Sequence, residues 1–296
     1  MKIKKLTTSF LLLALLAGCN PLKQLQTHQA SIKNAFEAGN YSEVLVNYEK
    51  LKDYHSSKGS EVKTEYLKMA AESAVKLERY PMAEELLQEW LDRDEDFEAV
   101  KMLASVYDQT GKTDKEYQLW NRYWDKIESP ELKKEVGQKL FAIEMDQKEY
   151  EKALERARQM PPMNDPRIVF LRVKALEATG KKEEARSVCN ALLEKNSDFK
   201  PALEWKAKDL YERAENWYKA EMSEYNKDPN YTAYVYLKRE LKKISAMYRQ
   251  SRDIFEKLHQ EDPDNQLYIK YLKNIYLRLE MNEEAAKMDM LLENQR

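Results

Sequence analysis

Few side chains in this 296-residue chain are of a type that does chemistry. Its 3 histidines are His28, His55 and His259, and its 2 cysteines are Cys19 and Cys189. A histidine could carry protons or hold a metal, and a thiolate could act as a nucleophile. No His-Glu-x-x-His or Cys-x-x-Cys spacing is present, so a locally assembled zinc site is missing. Cys189 has no histidine near it in sequence to activate it. It falls with Ala185 and Leu192 on one apolar helical stripe, where a cysteine packs as a small hydrophobe. Paired carboxylates are abundant: Glu84-Glu85, Asp94-Glu95-Asp96, Glu183-Glu184 and Glu283-Glu284. Two such groups could serve as the acid and base of glycoside hydrolysis. On segments equally rich in lysine, several of them just after a turn, they read as solvated faces and helix-start charges. With 6 glycines in the whole chain, no Gly-x-Gly-x-x-Gly or P-loop cradle exists. The expectation is a protein with no enzymatic activity, no cofactor and no metal.

Cys19 has a different chemistry in prospect. Lys2, Lys4 and Lys5 precede an apolar run from Leu6 to Leu16, and Ala17-Gly18 then leads to the cysteine. This is the charged, apolar and small-residue order of a bacterial export signal. The run is short of the ~20 apolar residues that span a bilayer. Leu16-Ala17-Gly18-Cys19 resembles the lipobox of bacterial lipoproteins. The resemblance implies that residues 1–18 are removed and that Cys19 carries lipid as the first mature residue. It also places the body at the membrane of a bacterial cell envelope, and Asn20, where an aspartate would favour the inner membrane, points to the outer one. Each buried methylene contributes ~0.8 kcal/mol, so several acyl chains hold where one alone is marginal. Cys189 is then left without a disulfide partner. The chain has 50 basic and 52 acidic residues, and loss of the three leader lysines takes its formal charge from -2 to -5. That balance argues against a nucleic-acid partner, which calls for a basic footprint.

The elements behind these residues read as helices throughout. The charged fraction is 34% and glycine and proline are scarce, as in long solvated helices. Residues 19–30 are expected to be the lipidated cysteine and a polar tether, and 31–296 a single helical body. Turn signals recur along that body, each followed by three residues on one helix face, the first of them mostly small or aliphatic. Gly39-Asn40-Tyr41 leads to Val44, Tyr48 and Leu51, and Glu78-Arg79-Tyr80 to Ala83, Leu87 and Trp90. Gly111 leads to Glu116, Trp120 and Tyr123, Lys148-Glu149-Tyr150 to Ala153, Ala157 and Met160, and Gly180 to Ala185, Cys189 and Leu192. Stripes such as Val100, Ala104, Tyr107 and Val169, Val173, Leu176 precede the turns. Asp228-Pro229-Asn230 recurs as Asp262-Pro263-Asp264, 34 residues on, which is the period of a tetratricopeptide repeat.

The pattern resembles the tetratricopeptide repeat family over nearly the whole mature chain. The resemblance implies an all-α fold, a right-handed superhelical solenoid of about seven antiparallel helix hairpins. The pattern degenerates over 203–224, where Trp217 or Tyr218 stands in place of a small residue; either the stacking opens there or two long helices replace a standard unit. A coiled coil would instead need unbroken heptads.

Aromatic residues are the candidates for binding. Of 19 tyrosines, Tyr231 and Tyr234 share a helical face with Lys238, and Tyr268 and Tyr271 occupy the comparable stretch of the next unit. Carried over by register from the repeat family, both stretches would be first helices lining a concave groove. Tyrosine suits a contact surface because it offers area at low entropy cost and keeps a polar tip. Packing between helices is its commoner arrangement. The family resemblance implies a membrane-anchored protein–protein interaction scaffold or adaptor with other envelope proteins as partners. The alternative is a carbohydrate- or nutrient-capture surface lipoprotein, a class whose members usually carry a large non-repeat insertion that this chain lacks.

Overall fold

The computed structural model describes residues 21–295. Cys19 and the leader before it lie outside the described residues. Fourteen α-helices and one 3-10 turn are present, with no strand among the described residues. The chain is therefore all-α, as expected, and consists of antiparallel helix hairpins. It divides into two compact units, one ending at Ile127 and one starting at Glu128.

The first unit holds three hairpins: α1 (Pro21–Glu37) with α2 (Tyr41–Ser57), α3 (Thr64–Lys76) with α4 (Tyr80–Arg93), and α5 (Phe97–Gln109) with α6 (Thr113–Tyr123), followed by the 3-10 turn Trp124–Lys126. The second holds four: α7 (Pro130–Asp146) with α8 (Tyr150–Gln159), α9 (Pro166–Ala178) with α10 (Lys182–Lys195), α11 (Lys200–Lys227) with α12 (Tyr231–Glu261), and α13 (Gln266–Arg278) with α14 (Asn282–Asn294). The stretch expected as a tether is helical from Pro21 onward. Proline at a helix start loses no internal bond, and His28 on this helix meets the Asn47 side chain of α2 at 3.3 Å.

Six of the seven hairpin turns are built alike. Gly39, Glu78, Gly111, Lys148, Gly180 and Glu280 all have φ between 54° and 75°. The residue after each donates its amide back across the helix end, as in Lys181 to Leu176 at 2.8 Å, Glu149 to Glu144 at 2.8 Å and Met281 to Tyr276 at 2.9 Å. This is the left-handed helix stop that glycine adopts without strain. A side chain there costs ~1–2 kcal/mol, part of which returns through a less flexible unfolded chain. Lys148→Gly is therefore expected to stabilise the protein by about 0.5–1 kcal/mol, read from urea unfolding. Gly180→Ala is expected to lose about 1 kcal/mol, although its Cβ would meet open space.

The turn triplets carry the core. Val44, Tyr48 and Leu51, then Ala83, Leu87 and Trp90, then Trp120 and Tyr123, are all buried. Ala70, Ala71 and Ala74 on α3 face the same interior as Ala83 on α4 and are fully enclosed. Such small residues permit the short end of the ~8–10 Å range of helix separations.

The sixth hairpin departs from the repeat. α11 has 28 residues and α12 has 31, against 10 to 17 in the other helices. Beyond Pro201 at its start, α11 contains no glycine or proline, and α12 contains none, so nothing stops either helix. The 34-residue echo is thus not a repeat period here. Asp228-Pro229-Asn230 is the turn inside a hairpin, whereas Asp262-Pro263-Asp264 separates one hairpin from the next. The stretch from Tyr231 accordingly opens the second helix of its pair, while Tyr268 and Tyr271 lie on the first helix of the following pair.

Candidate functional site

The base of the long hairpin is locked into the second unit. Ser251 Oγ donates to the Ala207 carbonyl at 2.7 Å, and Phe255 lies fully buried among Tyr268, Leu272 and Tyr276. Glu215 of α11 ties three helices together. It accepts from Tyr248 Oη of α12 at 2.7 Å and from Arg278 of α13 at 2.6 Å (Nε) and 3.1 Å (Nη2). The Arg278 guanidinium also lies over the Tyr218 ring, 4.5 Å from its centroid. Burial works against a charge on Glu215, but the bonds from Arg278 and Tyr248 outweigh it and hold its carboxyl below the usual range. A carboxylate depressed by folding contributes stability that is present above its unfolded pKa, ~4.3, and is lost as pH falls through its lower folded value. Chemical denaturation at pH 7 and at pH 3 is expected to show a smaller acid loss for Glu215→Gln than for the wild type.

Beyond Tyr218 this support ends. No residue of α11 from there to its end is fully buried, and on the distal part of α12 only Leu237, Glu240 and Ile244 are. About 18 Å of helix pair therefore extends past the last buried residue of α11. At its end Asn230 caps α12 by accepting from the Ala233 amide at 2.9 Å, and its own amide donates to the Asp228 carboxylate at 3.1 Å. Glu240 is held on this arm by Lys243 at 2.9 Å and Arg239 at 3.1 Å, which keep its carboxyl below the usual range against its burial.

The tip of the arm carries the candidate surface. Tyr231, Tyr234, Val235 and Tyr236 are 82%, 50%, 50% and 47% exposed. Tyr231 and Tyr234 share one stripe with exposed Lys238, while Tyr236 lies beneath the Arg239 guanidinium at 5.0 Å. An open groove of about 850 Å³ runs along the tip between Tyr225, Tyr231 and Tyr236, with Glu221, Glu224 and Asp228 on its rim. The remaining candidates are elsewhere. Tyr268 is buried and donates to Glu204 at 3.3 Å. Tyr271 stacks on Phe255 with centroids 4.7 Å apart and planes 12° apart, and Tyr211 meets its edge at 5.2 Å. The structure thus brings Tyr231, Tyr234 and Lys238 together at the tip and leaves Tyr268 and Tyr271 in the core at the base. Val235 and Tyr236 join the surface and were not singled out by sequence, though the absence of any helix breaker over 231–261 is a signal that could have found the arm.

The groups with chemical potential are dispersed. His28 lies on α1, His55 in the last turn of α2 beside Ser60 Oγ at 2.9 Å, and His259 near the end of α12. Cys189 is buried with its Sγ 3.5 Å from the Ala202 carbonyl, and burial pushes its thiol up to about 11. Among the described residues no group of three or more His, Cys, Asp or Glu is placed to hold a metal ion.

No protein-family model and no curated protein matches the chain. Its structural likenesses are to helical repeat proteins. A Bacteroides ovatus protein is 16% identical, covers 74% of this chain and 99% of its own, and gives a TM-score of 0.49. The C-terminal part of a TPR repeat-containing protein from Cytophaga hutchinsonii is 12% identical, with coverage of 88% and 92% and a TM-score of 0.44. A tetratricopeptide repeat protein from Parabacteroides merdae is 16% identical, with coverage of 76% and 77% and a TM-score of 0.24. At these values nothing of those proteins' roles is carried to this one.

Proposed function

We propose that this chain is a lipid-anchored interaction scaffold of the bacterial envelope, and that a protein partner docks on the aromatic tip of the α11–α12 arm. One observation carries the reading: four successive or near-successive large side chains, Tyr231, Tyr234, Val235 and Tyr236, stand in solvent at the end of the arm. Elsewhere among the described residues such side chains are exposed singly or, at Met290 and Leu291, as a pair. Single exposed apolar residues need no explanation, whereas a contiguous patch marks a contact surface. Tyrosine is suited to that role because its ring supplies area and its hydroxyl stays satisfied in water.

The anchor in this reading is lipid on Cys19, supported by the Leu16-Ala17-Gly18-Cys19 order. No described helix is long and apolar enough to cross a membrane. Tethering to a surface raises the effective concentration of the scaffold and makes a modest affinity sufficient. The test is purification from native membranes after mild in-cell cross-linking, for the wild type, Cys19→Ala and Tyr231→Ser/Tyr234→Ser. A defined protein enriched with the wild type and lost from both variants is the expected result. Membrane retention of Cys19→Ala would remove the lipid from the account, and an unchanged partner set in the double variant would remove the tip.

A further inference from the structure

A second surface in the same unit has a more specific chemistry. The connection between α8 and α9, together with α9 and α10, encloses a groove of about 500 Å³. Val169, Val188 and Leu192 form its apolar wall, and Arg172 and Lys195 are the charged residues lining it, with no carboxylate among the lining side chains. That is unusual in a chain with more acidic than basic residues. Arg172 is partly buried, yet among the described residues it meets no carboxylate and makes no side-chain hydrogen bond. The other arginines of this unit that are not exposed all do: Arg156 bonds Glu144, Arg186 bonds Asp209 and Arg252 bonds Asp253. A guanidinium taken partly out of water without a partner is a cost, and a carboxylate on its fork removes that cost.

We propose that this groove binds an extended peptide presenting a carboxylate beside apolar side chains. The carboxylate meets Arg172, with Lys195 as the second cation, and the apolar neighbours fill the Val169–Val188–Leu192 wall. Asn164 on the rim offers its amide to a peptide backbone, and Asn196, whose Nδ2 donates to the Leu192 carbonyl at 3.3 Å, offers its Oδ1; an alkyl chain would leave both unused. The volume falls within the ~300–1,000 Å³ of binding pockets and admits a few residues.

The inference rests on the reading of the chain as a protein binder. It is tested with the full chain in mild detergent by anisotropy of dye-labelled ten-residue peptides with Leu-Asp-Leu, Leu-Asn-Leu or Gly-Asp-Gly centres. The Leu-Asp-Leu peptide is expected to bind about tenfold or more tightly than either control, the range of a charge-assisted hydrogen bond. Arg172→Gln is expected to bring the Asp and Asn peptides to within about twofold, with thermal stability unchanged, and Lys195→Gln to weaken the salt dependence. Equal binding of Leu-Asp-Leu and Leu-Asn-Leu, or a preference that survives Arg172→Gln, overturns the proposal. So does Arg172-dependent binding of labelled oleate with no peptide binding, which makes the ligand a lipid. Should Arg172→Gln not fold, the wild-type peptide comparison and Lys195→Gln decide. Peptide binding in vitro needs neither the lipid nor the arm, so loss of envelope capture with peptide binding intact removes the scaffold reading alone, and the reverse removes only the groove.

Discussion

Tyr271→Ala is expected to destabilise the second unit by about 3–4 kcal/mol, while Tyr234→Ala leaves stability within about 0.5 kcal/mol of wild type. The two residues look alike in sequence but differ in surroundings. Tyr271 is sandwiched between the Phe255 face and the edge contact with Tyr211. Its removal opens a cavity in the cluster that holds α11, α12 and α13 together, and removes two aromatic pairs worth ~0.5–1.5 kcal/mol each beyond area. Tyr234 is half exposed at the tip and has few neighbours to lose. The same pair of variants separates stability from binding. Tyr234→Ala should reduce partner capture at unchanged unfolding midpoint, and Tyr271→Ala should lower the midpoint first. Equilibrium unfolding in urea alongside capture distinguishes the two effects.

Arg156→Met is expected to cost about 3–5 kcal/mol, the range for breaking a buried ion pair. Arg156 of α8 reaches back across the hairpin turn to Glu144 of α7, with Nη2 at 2.8 Å and Nε at 3.3 Å from one carboxylate oxygen. The side chains are 7% and 0% exposed. Removing the guanidinium leaves an enclosed carboxylate with its principal cation gone. Replacing both members, as Glu144→Leu/Arg156→Met, is expected to recover most of the loss, because desolvating two charges offsets much of their attraction. A double variant no more stable than Arg156→Met would show that Glu144 serves its neighbours in another way. The exposed pairs that link hairpins of the first unit, such as Lys52 with Glu85 at 3.3 Å, are each worth ~0–1 kcal/mol and merit no such expectation.

Much of this fold was legible in the residue order because the repeat relies on local rules. A left-handed stop, a first-turn charge and a small–large–large stripe recur at fixed offsets, and side chains such as Ala153, Ala185, Cys189 and Leu192 lie buried where that spacing puts them. The count of about seven hairpins and the option of two long helices near 203–224 come from the same signals. What misled was punctuation. Asp-Pro marks a chain reversal in both Asp228-Pro229 and Asp262-Pro263, and local sequence does not say whether the reversal lies within a hairpin or between hairpins. That ambiguity placed Tyr268 and Tyr271 beside Tyr231 and Tyr234 by register, although one set faces Phe255 and the other faces water. Glu144, Glu215 and Arg156 were hidden for a different reason. On a helix rich in charge, a residue type that is nearly always solvated gives no sign that it is enclosed, and Glu215 meets an arginine 63 residues away. The cations of the α9–α10 groove were missed likewise, since an absent partner is visible only in space.

The central claim is that a protein partner sits on the tip of the α11–α12 arm. Its most direct test places a photo-reactive p-benzoylphenylalanine at position 231 or 234 in cells, with position 184, an exposed site on α10, as control. The expected result is one defined cross-linked protein from 231 and 234, absent from 184 and lost on Cys19→Ala. The same diffuse products from all three positions, or a partner captured at 184 and not at the tip, would contradict it.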